Sequence, residues 1–556
     1  MLRPPASVTG ITRQASAQPG RAGFDGARRN GENRRVSNLD RLTGLDATFL
    51  HLEQSGRAHM HVASILVFQG QPPTYPELIE HVVGRLHLVP RYRQRLADVP
   101  FGQGRPVWVD DPHFKAHYHL RHTALPPPGG PEELKRLAGR LFSQPLDRGK
   151  PLWEVWMVEG LAGDRFALIG KTHHALVDGV SGVDITTILF DATDSPAPVA
   201  PEHEPWAPRP VPSPPELLAR ALVERATVPG EMVRGARAAL RAPRQVATGV
   251  RDRLVGIGAM AWAGVNPAPP SPLNVPIGPH RRYAWVDADL TRLKAIKDAL
   301  GGKVNDVVLT SVAMALGEYL RGQGHDTDGV VLKAMVPVSV RTEVERGALG
   351  NRVAAMWAPL PVGERDARAC FDQVHAAMAD LKESGQAVGA QVLTGLTGLA
   401  PTTILSQAAR LQARQRFFNL VVTNVPGPQI PLYLLGRPLE AIYPVAPLAE
   451  NQALCIAVMS YCGRMGFGLL ADYDALPALD TLADGLERAL DDLSAVALGA
   501  AAPRRRRART GPSGGTRARA SARRRADGPP RAPAPAASTP SAGNGSGGPA
   551  GSGSDG

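Results

Sequence analysis

The sequence predicts an α/β protein of two lobes set between basic, disordered tails, and three observations carry that prediction. The 556 residues are more than one ordinary hydrophobic core organises. Short apolar strand patterns alternate with amphipathic helical ones over residues 39–498. A proline-rich stretch, DATDSPAPVAPEHEPWAPRPVPSPP, separates these patterns into two groups. The expected organisation is a disordered tail at 1–38, an N-terminal lobe at 39–190, a Pro-rich linker and basic helical crossover at 191–273, a C-terminal lobe at 274–498, and a disordered Arg/Pro/Gly-rich tail at 499–556.

Order begins near RLTGLDATFLHLE, followed by a strand over Val62–Phe68. A helix starts at Thr74 with Pro76 in its first turn and Leu78, Val82 and Leu86 on one side. The basic run Arg91-Tyr92-Arg93-Gln94-Arg95 reads as a solvated strand or turn, and Pro131–Phe142 as a second helix. WEVWMVEG and RFALIGKT form a β-hairpin turning at Leu161–Asp164, and the second of these strands delivers His173 and His174. Glu216–Arg253, with eight Arg against four acidic residues, is a broken amphipathic segment that packs on the protein as a crossover or lies on an anionic membrane. In the second lobe a helix bearing Leu290, Leu293, Ile296 and Leu300 stops at Gly301-Gly302, and a further helix opens at Asn305-Asp306. Strands Val330–Val340 and Val353–Val362, a helix containing Cys370, the strand and turn Asn419–Pro428, and a hairpin across Cys462-Gly463-Arg464 follow. Leu479, Leu482, Leu486, Leu490 and Leu493 mark the closing helix.

The formal charge of +12 belongs to the tails. Residues 1–38 hold seven Arg against Asp25 and Glu32, and residues 501–556 hold eleven Arg against Asp527 and Asp555. Subtracting these contributions of +5 and +9 from +12 leaves −2 for the body, which argues against specific nucleic-acid binding. Cys370, Cys455 and Cys462 have neither disulfide-framework nor zinc spacing, which fits a reducing, cytoplasmic compartment. No run reaches the ~20 apolar residues that span a bilayer. The charge-free Ser384–Ala409 is broken by Pro401 and reads as a buried or interfacial helix pair.

The chemistry concentrates at His173-His174-Ala175-Leu176-Val177-Asp178-Gly179. Two imidazoles at a strand end, then a carboxylate and a glycine, supply a base, an anchor and a tight bend. The helix that follows, capped by Asp178 or Ser181, favours a neutral imidazole just ahead of it. A buried structural pair explains the same residues. A metal site does not, because no Cys or Glu-x-x-His partner stands near. Gly256–Ala261 matches a dinucleotide-binding pattern but follows no strand, and Gly179-Val180-Ser181-Gly182 falls one residue short of a nucleophile elbow.

His-His-x-x-x-Asp-Gly resembles the signature of the acyltransferase superfamily that includes chloramphenicol acetyltransferase and peptide-synthetase condensation domains. Taken in order, LDATFLHLE, PLDRGKPLWE, HHALVDG, NDVVL, PVSVR, GNRVAAMWAPLP, VTNVPGP and SYCGRMGFGLLAD are similar to the bacterial wax ester synthase/acyl-CoA:diacylglycerol acyltransferase family over roughly Leu39 to Leu498. The resemblance implies two chloramphenicol-acetyltransferase-like lobes with an active-site tunnel between them. It implies transfer of a fatty acyl group from acyl-CoA to diacylglycerol, or alternatively to a long-chain fatty alcohol, with His174 as general base. No cofactor is implied, acyl-CoA being a substrate. His173 shapes the site, Gly179 permits the bend, and Asp178 forms a structural ion pair with Arg341. Asn305 and Asp306 match a family motif that serves either the substrate or the helix cap, and Pro151, Leu152 and Trp153 either line the acyl path or fill the hairpin core. The implied setting is cytoplasmic, peripheral at the inner membrane face or a lipid droplet. A competing reading is a non-catalytic lipid-binding protein of the same fold.

Overall fold

Residues 40–53, 56–177, 188–196, 205–224, 267–339, 353–383 and 417–499 are described by the computed structural model. Asp178, Gly179, Arg341, Gly256–Ala261, Ser384–Ala409 and both tails lie outside the described residues, as does 225–253 of the basic crossover.

The first half begins with helix α1 (Gly44–Leu52), capped by the Thr43 hydroxyl, which accepts from the Asp46 N–H. Strand β1 (His61–Gln69) and helix α2 (Tyr75–Val83) follow. Thr74 caps α2 through a reciprocal pair of bonds with Glu77, which is why the helix starts where its Thr-x-x-Glu pattern places it. The short hairpin of β2 (Gln94–Ala97) and β3 (Val107–Asp110) precedes β4 (Leu120–Ala124), helix α3 (Pro131–Phe142), β5 (Trp153–Leu161) and β6 (Arg165–His173). A one-turn helix α4 (His174–Val177) and helix α5 (214–224) complete this half.

The second half holds β7 (Arg281–Asp289), α6 (Leu290–Leu300), α7 (Val304–Gly322), β8 (Leu332–Ser339), β9 (Val353–Leu360), α8 (Ala367–Glu383), β10 (Leu420–Val425), β11 (Tyr433–Leu434), β12 (Arg437–Val445), β13 (Leu454–Tyr461), β14 (Arg464–Asp472) and α9 (Leu479–Leu498). Gly301 ends α6 with φ of 82°, a left-handed cap open to a residue without Cβ.

Two six-stranded sheets result, in the orders β11-β12-β1-β6-β5-β4 and β7-β14-β13-β10-β8-β9. The first is therefore not built from the first half alone, because β12 crosses over to pair with β1 from Ala63↔Val445 to Phe68↔Leu439. The crossing brings the sheets into backbone contact. A Cβ on Gly468 would lie 1.8 Å from the Pro444 carbonyl oxygen, and one on Gly466 2.2 Å from that of Ile442, so the alternating glycines of MGFGLLA admit β12. Tyr283 donates to the Pro444 carbonyl at 3.1 Å, and the Tyr443 hydroxyl donates to Asp287 at 2.6 Å. Within the second sheet Phe467, Leu469, Ile456 and Leu420 are fully enclosed, and α7 and α9 cover the apolar core beside them.

The basic run at 91–95 corrects its sequence reading. It forms a 3₁₀ turn over Pro90–Arg93 running into β2, and Tyr92, Arg93 and Gln94 are buried rather than solvated. Their partners come from elsewhere in the chain. The Tyr92 carbonyl accepts from the Trp153 indole at 2.8 Å, and the Arg93 guanidinium lies 4.8 Å from the Trp206 ring. Part of the proline-rich stretch is thus laid on the body, where Arg209 donates to both carboxylate oxygens of Asp110 at 3.0 Å.

Candidate active site

The His pair stands where β6 ends. The His173 N–H donates to the Leu152 carbonyl at 3.0 Å, and the His174 N–H donates to the Met60 carbonyl at 2.8 Å. The backbone of the pair is therefore held by the starts of both neighbouring strands, β5 and β1. His173 is 1% exposed, and its Nδ1 accepts from the Ala175 N–H at 3.0 Å. With that lone pair engaged, a neutral ring carries its proton on Nε2. His174 is half-buried, its ring 4.2 Å from that of Phe49 on α1.

Behind the pair sits a carboxylate. Glu53, at the end of α1, places Oε1 3.3 Å from His173 Nε2 and 3.6 Å from Nε2 of His61, which lies opposite His173 in the β1–β6 ladder. Glu53 also accepts the Met60 N–H at 2.6 Å, and Arg148 approaches it to 3.5 Å. Burial pushes the Glu53 carboxyl up, but His173, the Met60 N–H and Arg148 outweigh it and hold the group below its ordinary range. Burial, with Lys171 nearby, holds His61 well below the usual imidazole range, so at neutral pH the charge of Glu53 faces neutral His61. The arrangement can do what a base requires: an anion fixes the tautomer of one imidazole, and that imidazole fixes the first turn on which the next one is carried.

Pro151, Leu152 and Trp153 stand beside the pair, since Trp153 pairs with Thr172 and Leu152 accepts from His173. Trp153 is 1% exposed, stacks on His119 at 4.7 Å and bonds Tyr92, so it fills the hairpin core; Leu152 is fully buried. Pro151 and Trp153 also border a cavity of about 270 Å³ with Tyr118, Arg121, Asp147 and Glu154. Under that cavity Lys171, 1% exposed, pairs with Glu154 and donates to the carbonyls of Leu141 and Gln144 at 3.1 and 2.9 Å. Every ammonium hydrogen is engaged, and this lysine is a structural cation.

Asn305 and Asp306 are on α7 in the second half. The helix is capped at Lys303, not at Asn305, which lies half-buried in the first turn. Asp306, 3% exposed, accepts the Lys303 N–H at 2.9 Å and lies 2.8 Å from His375 Nδ1 on α8, so its carboxylate closes the helix start and ties two helices together. Asp178, Gly179 and the proposed Asp178–Arg341 pair fall outside the described residues. Glu53 and His61 are the site residues that motif reading did not single out. Glu53 lies in the LDATFLHLE stretch, but nothing in its spacing ties it to a histidine pair so far along the chain.

Comparison with known proteins places the chain in a family. Residues 42–308 match the wax ester synthase/diacylglycerol acyltransferase catalytic domain, and residues 349–494 match the WS/DGAT C-terminal domain. The chain is 32% identical over 471 residues to the Mycobacterium tuberculosis (strain H37Rv) protein named "Probable diacyglycerol O-acyltransferase tgs1", covering 84% of this chain and 98% of that protein. It is 34% identical over 469 residues to a provisionally named diacylglycerol O-acyltransferase of Mycobacterium tuberculosis strain CDC 1551, covering 82% of this chain and 90% of the relative. A solved wax ester synthase/diacylglycerol acyltransferase from Marinobacter aquaeolei VT8 shares the α/β fold with a TM-score of 0.57 and 30% identity, over 82% of this chain and 99% of that one. The chain belongs to the wax ester synthase/diacylglycerol acyltransferase family and is an acyl-CoA-dependent acyltransferase.

Proposed function

We propose that the protein transfers a fatty acyl group from acyl-CoA to the free hydroxyl of diacylglycerol, with His174 as general base. The observation that carries this reading is the half-buried imidazole of His174, set at a strand end beside Phe49, with buried His173 and half-buried Glu53 behind it. His174 removes the proton from the acceptor hydroxyl as the oxygen attacks the thioester carbonyl. The C–S bond of the tetrahedral adduct then breaks, and the CoA thiolate takes its proton from His174. Proton transfer of this kind contributes ~10²–10⁴-fold in rate. Alignment of both substrates supplies the rest, and no acyl-enzyme is required. By the family resemblance Asp178 and Gly179 serve the turn after the base, Asn305 serves the acceptor side, and Pro151, which borders the cavity, serves the acyl side. The protein works at the cytoplasmic face of a membrane or at a lipid droplet.

A long-chain fatty alcohol is the second acceptor, a reading favoured by the likeness to the Marinobacter protein, which is named for both activities. Purified protein is incubated with labelled palmitoyl-CoA and either dioleoylglycerol or hexadecanol, beside His174→Ala. Ester that disappears in the folded variant supports the base, and the faster lane identifies the acceptor. A variant as active as the wild type would remove His174 from the mechanism. Acyl-CoA binding without product in either lane would favour a lipid-binding protein.

A further inference from the structure

We propose that the tip of the β2–β3 hairpin and the outer side of α5 form the face with which the protein docks on an uncharged lipid surface. The proposal rests on the reading above in which the acceptor is a lipid. Phe101, in the turn between β2 and β3, is 84% exposed, the highest value among the large apolar side chains described. Its φ of 56° is a left-handed backbone conformation that an aromatic L residue seldom adopts, and it holds the ring outward between Pro100 and Gly102. Beside it, α5 turns Leu217 inward onto Val107 and Val109 and leaves Leu222 and Val223 50% and 63% exposed. Hairpin and helix are joined, since a Cβ on Gly104 would lie 3.2 Å from that of Ala221, and Arg41 donates to the Arg105 carbonyl while pairing with Glu224.

Charge selects the kind of surface. Residues 94–110 and 205–224 carry Arg95, Arg105, Arg209 and Arg220 against Asp98, Asp110, Glu216 and Glu224, so the two segments have no net charge. Three of these carboxylates are already paired, with Arg209, Arg220 and Arg41. An apolar wedge on a neutral face suits a zwitterionic or neutral lipid interface better than a polyanion. Among the described residues no single helix is long and apolar enough to cross a membrane. The face also leads to the base. The Leu42 N–H donates to the Pro106 carbonyl of the hairpin at 3.1 Å, and α1 starts two residues later. Over its 9 residues, about 13.5 Å of helix, α1 carries Phe49 to the His174 ring.

The test is flotation with phosphatidylcholine vesicles containing dioleoylglycerol, and with triolein droplets coated by phosphatidylcholine. Phe101→Ser and Val223→Ser should each lower the partition constant roughly tenfold, and the loss should persist at high salt, where exposed charges are screened. Activity on a dispersed short-chain acyl-CoA and a short-chain alcohol should stay at the wild-type level. Wild-type protein that is inactive on those dispersed substrates yet floats would count against the acyltransfer reading and leave docking standing. Unchanged partition in both variants overturns docking, as does binding that requires phosphatidylglycerol and vanishes in salt. A polarity-sensitive dye on Phe101→Cys, in a Cys462→Ser background, should shift to the blue only when vesicles are added. A dye already blue-shifted in buffer would mean that another part of the chain or a second copy covers the tip, and would overturn the proposal.

Discussion

The two sheets divide chemistry from support. The first encloses His61, His119, Glu154, Lys171 and His173 among its strands and their neighbours, with Glu53 behind the pair. The second has interiors such as β13, whose Leu454, Ile456 and Val458 are enclosed by apolar neighbours, and its buried carboxylates, Asp306 and Asp472, close a helix start and a turn while also meeting His375 and the Gly278 N–H from elsewhere in the chain. Burying a titratable group costs free energy unless partners meet it, so such groups persist where partners from several elements converge. The first sheet offers that convergence at His173, where α1, β1, β5 and β6 meet. The second sheet is a rigid backing whose glycines admit β12.

The largest expected effect is His174→Ala, which should lower turnover by ~10²–10⁴-fold while leaving the unfolding transition in place. Next, Lys171→Met leaves Glu154 without its buried cation and should cost about 3–5 kcal/mol in chemical denaturation. A Lys171→Met protein as stable as the wild type would break the distinction between the sheets. Glu53→Gln keeps the shape but removes the charge facing His173, and it should lower kcat roughly 10-fold or more with little change in KM, because it acts through the base rather than on substrate. In the second sheet's half, Asp306→Asn should cost about 1 kcal/mol of stability, typical of a lost helix cap. If it instead abolished activity in a fully folded protein, the contrast would fail there.

The smallest effect concerns Asp110. Burial pushes its carboxyl up, but the bonds from Arg209 outweigh that and bring it to about 2. The folded value lies below the ordinary carboxylate range near 4. The contribution of the clamp is therefore fully present above about pH 4 and lost as pH falls through about 2. Trp206 fluorescence should report the release in that window, and Arg209→Ala should abolish that step of the titration.

What the sequence determined by itself were the elements whose cause is local. Short apolar runs on either side of the Leu161–Asp164 turn set the hairpin of β5 and β6, period 3.6 set α3 and α9, and Thr74, Glu77 and Gly301 set where helices begin and stop. His173 and His174 were legible because adjacent imidazoles at a strand end are a local pattern. Short, polar β4 and proline-bearing β12 carry weak local signals, and their pairing was decided by neighbours. Only the tertiary structure decided that β12 completes the first sheet, that Glu53 faces His173, that Arg93 and Lys171 are buried, and that Asp306 binds His375. Each of these is a contact between residues far apart in the chain. Such contacts leave no period in the sequence, and they exist only once the hydrophobic faces have been buried against one another.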